Sequence, residues 1–303
     1  MSYSHYAKDL LCKTKNKHKC CDAALLYGIL INANVFSRKK IKFMTENETI
    51  ADKTENLIES VLKLKLKFAK PVRQLCQLNI TDEKIINKFL KKFKYDDLLD
   101  NKNLREINKA MFVCDSCKGA FVRGIFIACG TIAEPKNGYH LEISLNSEEL
   151  AFEIKNLLKD STDVNIGFRY IKRKNSHILY LKGSETIEDF LYYINATKIS
   201  FDIMEIKILK ELRNNANRVT NLENANLKKT SDASAEQIEA INSIIRSGKF
   251  ESLPDELKQT AKLRLENIEL SLQEIGELSE PKLTKSGVNH RIKKLIEIAG
   301  GDL

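Results

Sequence analysis

Hydroxyl, amide, imidazole and cationic groups crowd into the last part of this chain: Ser271, Gln273, Lys282, Thr284, Lys285, Ser286, Asn289, His290, Arg291, Lys293 and Lys294. These groups are the ones that bond base edges and phosphates in a DNA groove. A second set with chemical potential is made of thiols. Cys114-x-x-Cys117 has half the spacing of a zinc site, and Cys20-Cys21 precedes it by about a hundred residues. His5, His18, His140 and His177 stand apart from one another and read as surface or structural residues.

The elements that position the first set are short helices. A helical pattern runs over about Ala235–Ser247, breaks at Gly248, and resumes after Leu253-Pro254-Asp255-Glu256, where proline suits a first turn. This helix reaches about Asn267. Ser271 and Glu274 then have the spacing of a capping box. A loop with Pro281 leads to a final helix, about Lys285–Ala299, capped by Thr284 or Ser286, with Val288, Ile292, Leu295 and Ile296 inward. Two short helices, the second opening with small, hydrogen-bonding and basic residues, match what a helix-turn-helix DNA reader requires. The alternative is a small helical bundle whose basic end binds nothing.

Upstream, the chain repeats itself. Cys20–Phe36 and Cys114–Ile132 both read as apolar helices, and a shift of 96 positions lays Cys21 on Cys117, Gly28 on Gly124 and Ala33 on Cys129. A glycine on each packing face lets two backbones approach closely. Extended segments ending near Asn47 and Asn146 each turn into an amphipathic helix, to about Leu62 and Lys159. Further strands are expected at Leu64–Phe68, Arg73–Leu78, Val164–Ile171 and Ser176–Leu181, with closing helices at about Asp82–Phe93 and Glu185–Ile194. Each half is then helix, two strands, helix, two strands, helix: a duplicated α+β domain with pseudo-twofold symmetry. The expected boundaries are 1–110 and 111–200 for the halves, 201–232 for a connector and 233–303 for the all-α helix-turn-helix domain.

The connector opens with Phe201–Leu212, a short strand or helix, and is then rich in asparagine. Asn214, Asn217, Asn221, Asn224 and Lys228 fall on one helical face beside Arg218. Such a face suits phosphate contacts; asparagine equally suits a turning linker.

The net charge is +9, yet residues 232–303 hold ten Lys/Arg against thirteen Asp/Glu. The body of the chain is therefore strongly basic, which fits a polyanionic partner or serves solubility alone. Within the acidic C-terminal domain, residues 282–294 carry five Lys/Arg and no Asp/Glu. No apolar run reaches the ~18 residues of a membrane span, and no secretory signal opens the chain, so a cytoplasmic, nucleoid-associated protein is expected. Seven cysteines scattered from Cys12 to Cys129 make no disulfide framework. If the two apolar helices pack parallel, Cys20, Cys21, Cys114 and Cys117 would cluster, as a tetrathiolate zinc site or a redox pair. Small buried hydrophobes are the simpler role for these thiols, and no metal or cofactor is expected.

Tyr139-His-Leu-Glu-Ile143, Arg213-Asn-Asn-x-Asn-Arg218, Asn221-x-Glu-x-Ala-Asn226, Ser252-Leu-Pro254, Leu263-Arg-Leu-Glu266 and Thr284-Lys-Ser-Gly-Val-Asn-His-Arg291 together resemble the WhiA family. Its members are bacterial DNA-binding proteins that fuse a LAGLIDADG homing-endonuclease-like domain to a C-terminal helix-turn-helix. The resemblance spans nearly the whole chain and is specific from about Cys117 onward. It implies a non-catalytic regulator of transcription linked to cell division, chromosome segregation and, in spore formers, sporulation. It also implies double-stranded DNA as partner, with a sigma factor or cell-division proteins as a second class. In LAGLIDADG nucleases each central helix ends in a carboxylate that holds a divalent metal. The matching positions here are Ala33 and Cys129, neither a magnesium ligand. Phosphate contacts are expected from Arg169, Lys172, Arg173, Lys174, Arg213, Asn217, Arg218 and Lys228. The rival readings are a protein-interaction platform acting in cell division with accessory DNA binding, and a metal-dependent endonuclease.

Overall fold

Gly28 and Gly124 meet where two apolar helices cross. In the computed structural model, which describes residues 2–70, 75–95, 104–159 and 166–300, α2 (Lys19–Ile31) packs against α5 (Ser116–Cys129). A Cβ on Gly28 would stand 2.0 Å from the Phe121 carbonyl oxygen, and one on Gly124 would stand 2.3 Å from that of Leu25. Neither position has room for a side chain, since the obstructing atoms are backbone. Ten of the thirteen residues of α2 and nine of the fourteen of α5 are buried. The helices run parallel: Cys20 and Cys21 touch Cys114 at their starts, and just past the end of α2 the Asn32 amide donates to the Ser144 carbonyl, in the second strand after α5.

Around this pair each half builds an antiparallel sheet. The first half comprises α1 (Tyr3–Lys13), α2, β1 (Val35–Phe36), β2 (Ile41–Thr45), α3 (Glu48–Leu62), β3 (Cys76–Ile80) and α4 (Glu83–Lys92). The second comprises α5, β4 (Gly130–Ile132), β5 (His140–Leu145), α6 (Glu148–Lys159), β6 (Arg169–Arg173), β7 (Ser176–Lys182) and α7 (Ser184–Tyr193). Sheet orders are β1-β2-β3 and β4-β5-β7-β6. Alternation places Ile41, Phe43, Leu78 and Ile80, and on the other side Leu141, Ile143, Leu179 and Leu181, against the central helices. The second half follows the expected order of elements throughout.

The first half departs from it. Leu64–Phe68 forms no strand, although Leu64, Leu66 and Phe68 pack against the core; only Ala69 pairs with Gln77. Its backbone is captured instead: the Phe68 N–H donates to the Glu55 carboxylate at 2.7 Å, and Lys67 donates to the same group at 2.6 Å. The strand expected at Arg73–Leu78 is Cys76–Ile80, with 71–74 outside the described residues, and that expected at Val164–Ile171 is Arg169–Arg173, with 164 and 165 outside them. An unanticipated helix, α1, buries Ala7, Leu11 and Cys12 and is capped by Ser2.

The largest correction concerns the connector. A single helix, α8 (Thr197–Arg246), runs through all of 201–232 and absorbs the helix expected from Ala235. No glycine or proline interrupts those fifty residues, so nothing breaks the hydrogen-bond ladder. The chain divides into compact units at Lys210 and Glu211, and residues 211–233 are all exposed. The second unit is helical: the end of α8, then α9 (Asp255–Glu266), α10 (Leu272–Leu278) and α11 (Lys285–Gly300). Ile241, Ile244, Leu253, Leu257, Ala261, Ile275, Val288, Ile292 and Leu295 form its core.

Gly28→Ala should lower the stability of the first unit by at least about 2 kcal/mol, because a methyl group must push two backbones apart. Gly167→Ala, where an added Cβ meets nothing within 4 Å, should cost under about 0.5 kcal/mol. Urea titration of both variants followed by near-ultraviolet circular dichroism compares them; equal costs would refute the close crossing.

Candidate nucleic-acid interface

The C-terminal helices are held by a few polar devices. Ser271 and Glu274 close a capping box at the start of α10. The turn after α10 folds back on Gly276, whose carbonyl accepts from the Leu283 N–H at 2.9 Å; a Cβ there would stand 2.3 Å from the Leu283 oxygen. Gln259 of α9 donates to the Glu280 carbonyl at 2.9 Å, and the Ser279 hydroxyl donates to that of Ile275 at 2.8 Å. Thr284, the expected cap, accepts from the Gly287 N–H at 3.2 Å. The start of α11 is therefore fixed in place by contacts on both sides of the turn.

Arg264 organises the rear of this unit. It is 1% exposed, and its guanidinium donates to the carbonyls of Leu270 and Ile268 and to the Ser234 hydroxyl. Burial pushes its pKa down, yet an arginine stays charged in proteins. Arg264 thus ties the α9–α10 turn to α8.

On α11, Lys285, Ser286, Asn289, His290, Lys293 and Lys294 are exposed, while Val288, Ile292 and Leu295 point into the core. No acidic residue lies in its first turn, so the positive end of the helix dipole adds to the basic side chains. Lys282 and Gln273 are exposed nearby; the Ser271 hydroxyl is engaged in its cap. Arg291 differs from the expected DNA-facing set. Its guanidinium turns back to α9, 3.3 Å from the Glu256 carboxylate, and the side chain is only 14% exposed. The sequence carried this signal: Arg291 lies three residues after Val288 and four before Leu295, on the flank of the buried stripe.

In the duplicated domain, β6 is an edge strand with an exposed outer face. Register puts Arg169, Ile171 and Arg173 on one side with Tyr180, Glu142 and Ser144, away from the core face. Arg173 pairs with Glu142 at 3.0 Å, and Glu142 also meets His140 Nε2 at 2.8 Å. Lys182 joins this face over the Tyr180 ring. Lys172 pairs with His177 on the opposite side, and Lys174 occupies the turn with φ 52°. Sequence reasoning missed Tyr180, Lys182 and His140, although the alternation of β5 and β7 places them. On α8, Arg213, Asn217, Arg218 and Lys228 are all exposed.

The ends of α2 and α5 hold no carboxylate at the expected acid positions. Ala33 is buried, and the Cys129 thiol donates to the Ile125 carbonyl at 3.2 Å. Burial pushes the Cys129 pKa up to about 12, opposed by the nearby Lys8 ammonium and the Asn32 amide. Asn32 is tied down by Asn146, whose N–H donates to its side chain at 2.9 Å and whose amide donates to its carbonyl at 3.1 Å. Where a nuclease keeps metal-binding acids, this chain has a thiol, a methyl group and, close by, a lysine whose own pKa burial lowers. At the opposite ends of the same helices the thiols of Cys20, Cys21, Cys114 and Cys117 lie within 4.8 Å of one another.

The pattern described as the WhiA LAGLIDADG-like domain matches residues 118–213, and that of the WhiA C-terminal HTH domain matches 216–299. A probable cell division protein WhiA from Ruminiclostridium cellulolyticum is 36% identical over 99% of this chain and 97% of its own length. The chain belongs to the WhiA family. A relative of the same description from Desulfitobacterium hafniense is 34% identical over 99% of this chain and 96% of its own. The crystal structure of full-length DUF199/WhiA from Thermatoga maritima is similar over 99% of both chains, with a TM-score of 0.60 and 25% identity. The WhiA C-terminal HTH match thus takes in the end of α8 with α9, α10 and α11, and the WhiA LAGLIDADG-like match takes in the second half of the duplicated domain.

Arg264→Ala should destabilise the WhiA helix-turn-helix unit by about 2–4 kcal/mol, because the Ser234 and Ile268 acceptors lose their partner. Arg291→Ala should cost under about 1 kcal/mol, since Glu256 is largely exposed and water replaces the ion pair. Thermal unfolding of the two variants would test the ranking, and the reverse order would refute it.

Proposed function

We propose that this WhiA-family chain is a non-catalytic, DNA-binding regulator of transcription that works in the cytoplasm on the nucleoid. The observation that carries the reading is the exposed face of the first half of α11, free of acidic residues over Lys285–Lys294 and held by a braced turn. Ser286, Asn289 and His290 are the candidates for base edges in the major groove, with Lys282, Lys285, Lys293 and Lys294 on phosphates. Gln273 and the backbone at the start of α10 contact the adjoining DNA strand in this reading. Arg291 serves in the brace between α11 and α9 in this reading. Arg169 and Arg173, with Lys182, offer further phosphate contacts on the outer sheet face, and Arg213, Asn217, Arg218 and Lys228 offer them along α8. Links to cell division, chromosome segregation and sporulation belong to the same proposal; the names of the relatives support the first of these.

A second reading, a platform for a sigma factor or a division protein, is favoured by one feature. Phe201, Ile208, Leu209 and Leu212 of α8 are more than half exposed. Binding of the full chain to such a partner without DNA would support it.

Asn289→Ala should weaken binding to a preferred DNA site by about 1–3 kcal/mol and relax its sequence preference, whereas Lys293→Ala should weaken binding to all sequences and reduce the salt slope by about one. Fluorescence anisotropy across a salt series reads both; a uniform loss for Asn289→Ala would remove it from base readout. Supercoiled DNA incubated with the chain and Mg²⁺ should stay intact. Nicking that persists through re-purification and disappears in Cys129→Ala would overturn the non-catalytic assignment.

A further inference from the structure

Four of the seven cysteines converge on one point. Cys20 and Cys21 lie in the first turn of α2; Cys114 precedes α5, and Cys117 lies in its first turn. The Sγ atoms of Cys20 and Cys114 are 3.5 Å apart, those of Cys21 and Cys114 3.6 Å, and those of Cys114 and Cys117 3.5 Å. All four fall within 4.8 Å of one another, with two buried and two half-buried. Zinc bound by four thiolates at about 2.3 Å sets its sulfurs about 3.8 Å apart at the corners of a tetrahedron. The cluster is already close to that size, and it is too tight to enclose a four-iron, four-sulfide cube.

Adjacent cysteines look unpromising for a shared metal in an extended chain. On a helix, neighbouring side chains diverge by about 100°, and here both reach the same Cys114 sulfur because the partner helix approaches so closely. The Cys114 carbonyl accepts from the Cys117 N–H at 2.9 Å, folding the Cys-x-x-Cys segment so that both its sulfurs face one point.

The surroundings suit the net double negative charge of zinc with four thiolates. One flanking cavity of about 370 Å³ is lined by Cys20 with Lys91, Lys92 and Lys94. Another of about 550 Å³ is lined by Cys21 with Lys15, Lys17 and Arg123 against Asp115 and Asp189, which leaves one net positive charge. The N-terminal ends of α2 and α5 add their dipoles. We propose that Cys20, Cys21, Cys114 and Cys117 bind one structural zinc ion that joins the two halves of the duplicated domain at the head of its central helix pair. The site is closed, with protein sulfur in every coordination position, so its role is mechanical and not catalytic.

Full-length protein, purified without chelator or added metal, should contain about one zinc per chain by elemental analysis. After metal removal under reducing, oxygen-free conditions, titration with Co²⁺ should give the thiolate charge-transfer and visible bands of a tetrahedral site, saturating at one equivalent. Cys20→Ser and Cys114→Ser should lose these bands, whereas Cys129→Ser should keep them. The wild-type cobalt titration does not depend on the folding of any variant. Zinc below about a tenth of an equivalent together with no cobalt bands would overturn the proposal. So would metal binding undiminished in Cys114→Ser, iron in place of zinc, or a Cys20–Cys114 disulfide found by peptide mapping in protein purified anaerobically.

Discussion

Everything in the first unit depends on two backbones coming within contact at Gly28 and Gly124. The crossing sets the distance between the halves, and therefore how the two sheets lie on the core formed by α2 and α5. It also determines what can happen at the two ends of the pair. At the C-terminal ends the chain has Ala33 and Cys129 where a LAGLIDADG nuclease places acids, and Asn32 and Asn146 lock that end shut through hydrogen bonds. At the N-terminal ends the same closeness draws four thiols together. Neither Ala33 nor Cys129 offers a hard ligand for magnesium at one end, while soft thiol ligands gather at the other.

Much of this was legible in the residues, for identifiable reasons. The repeat register of 96 was carried by Gly28 and Gly124, and the structure makes those two glycines face each other across the helix crossing. Ser271 with Glu274, Gly248 and Thr284 each marked a helix end through local chemistry, and each end is found there. Local signals failed where a tertiary contact decided. The alternation of Leu64–Phe68 reads as a strand, but Glu55 takes the backbone N–H that a ladder would use. Helix α1 has only Ala7, Leu11 and Cys12 as a buried stripe, too short a pattern to stand out.

Helix α8 failed for a different reason. Its asparagines lowered the local propensity for helix, while the absence of any glycine or proline over Thr197–Arg246 pointed the other way. Propensity is a weak preference and an interruption is a strong one. Arg291 shows the same hierarchy among site residues. Its chemistry suited DNA, but its place beside Val288 and Leu295 committed it to Glu256. The remaining candidates on α11 lie on the side away from the core, so position and chemistry agree for them.

The proposed division of labour follows from this arrangement: a duplicated domain with no carboxylate at its two expected acid positions, and a small helical unit with a concentrated basic face at the start of α11. Hydrogen exchange of the full chain, with and without duplex DNA, tests that claim most directly. DNA should slow exchange most strongly in the peptides spanning Leu283–Arg291, with weaker slowing along β6 and none at the buried ends of α2 and α5. Protection confined to the duplicated domain, leaving α11 unchanged, would contradict the account.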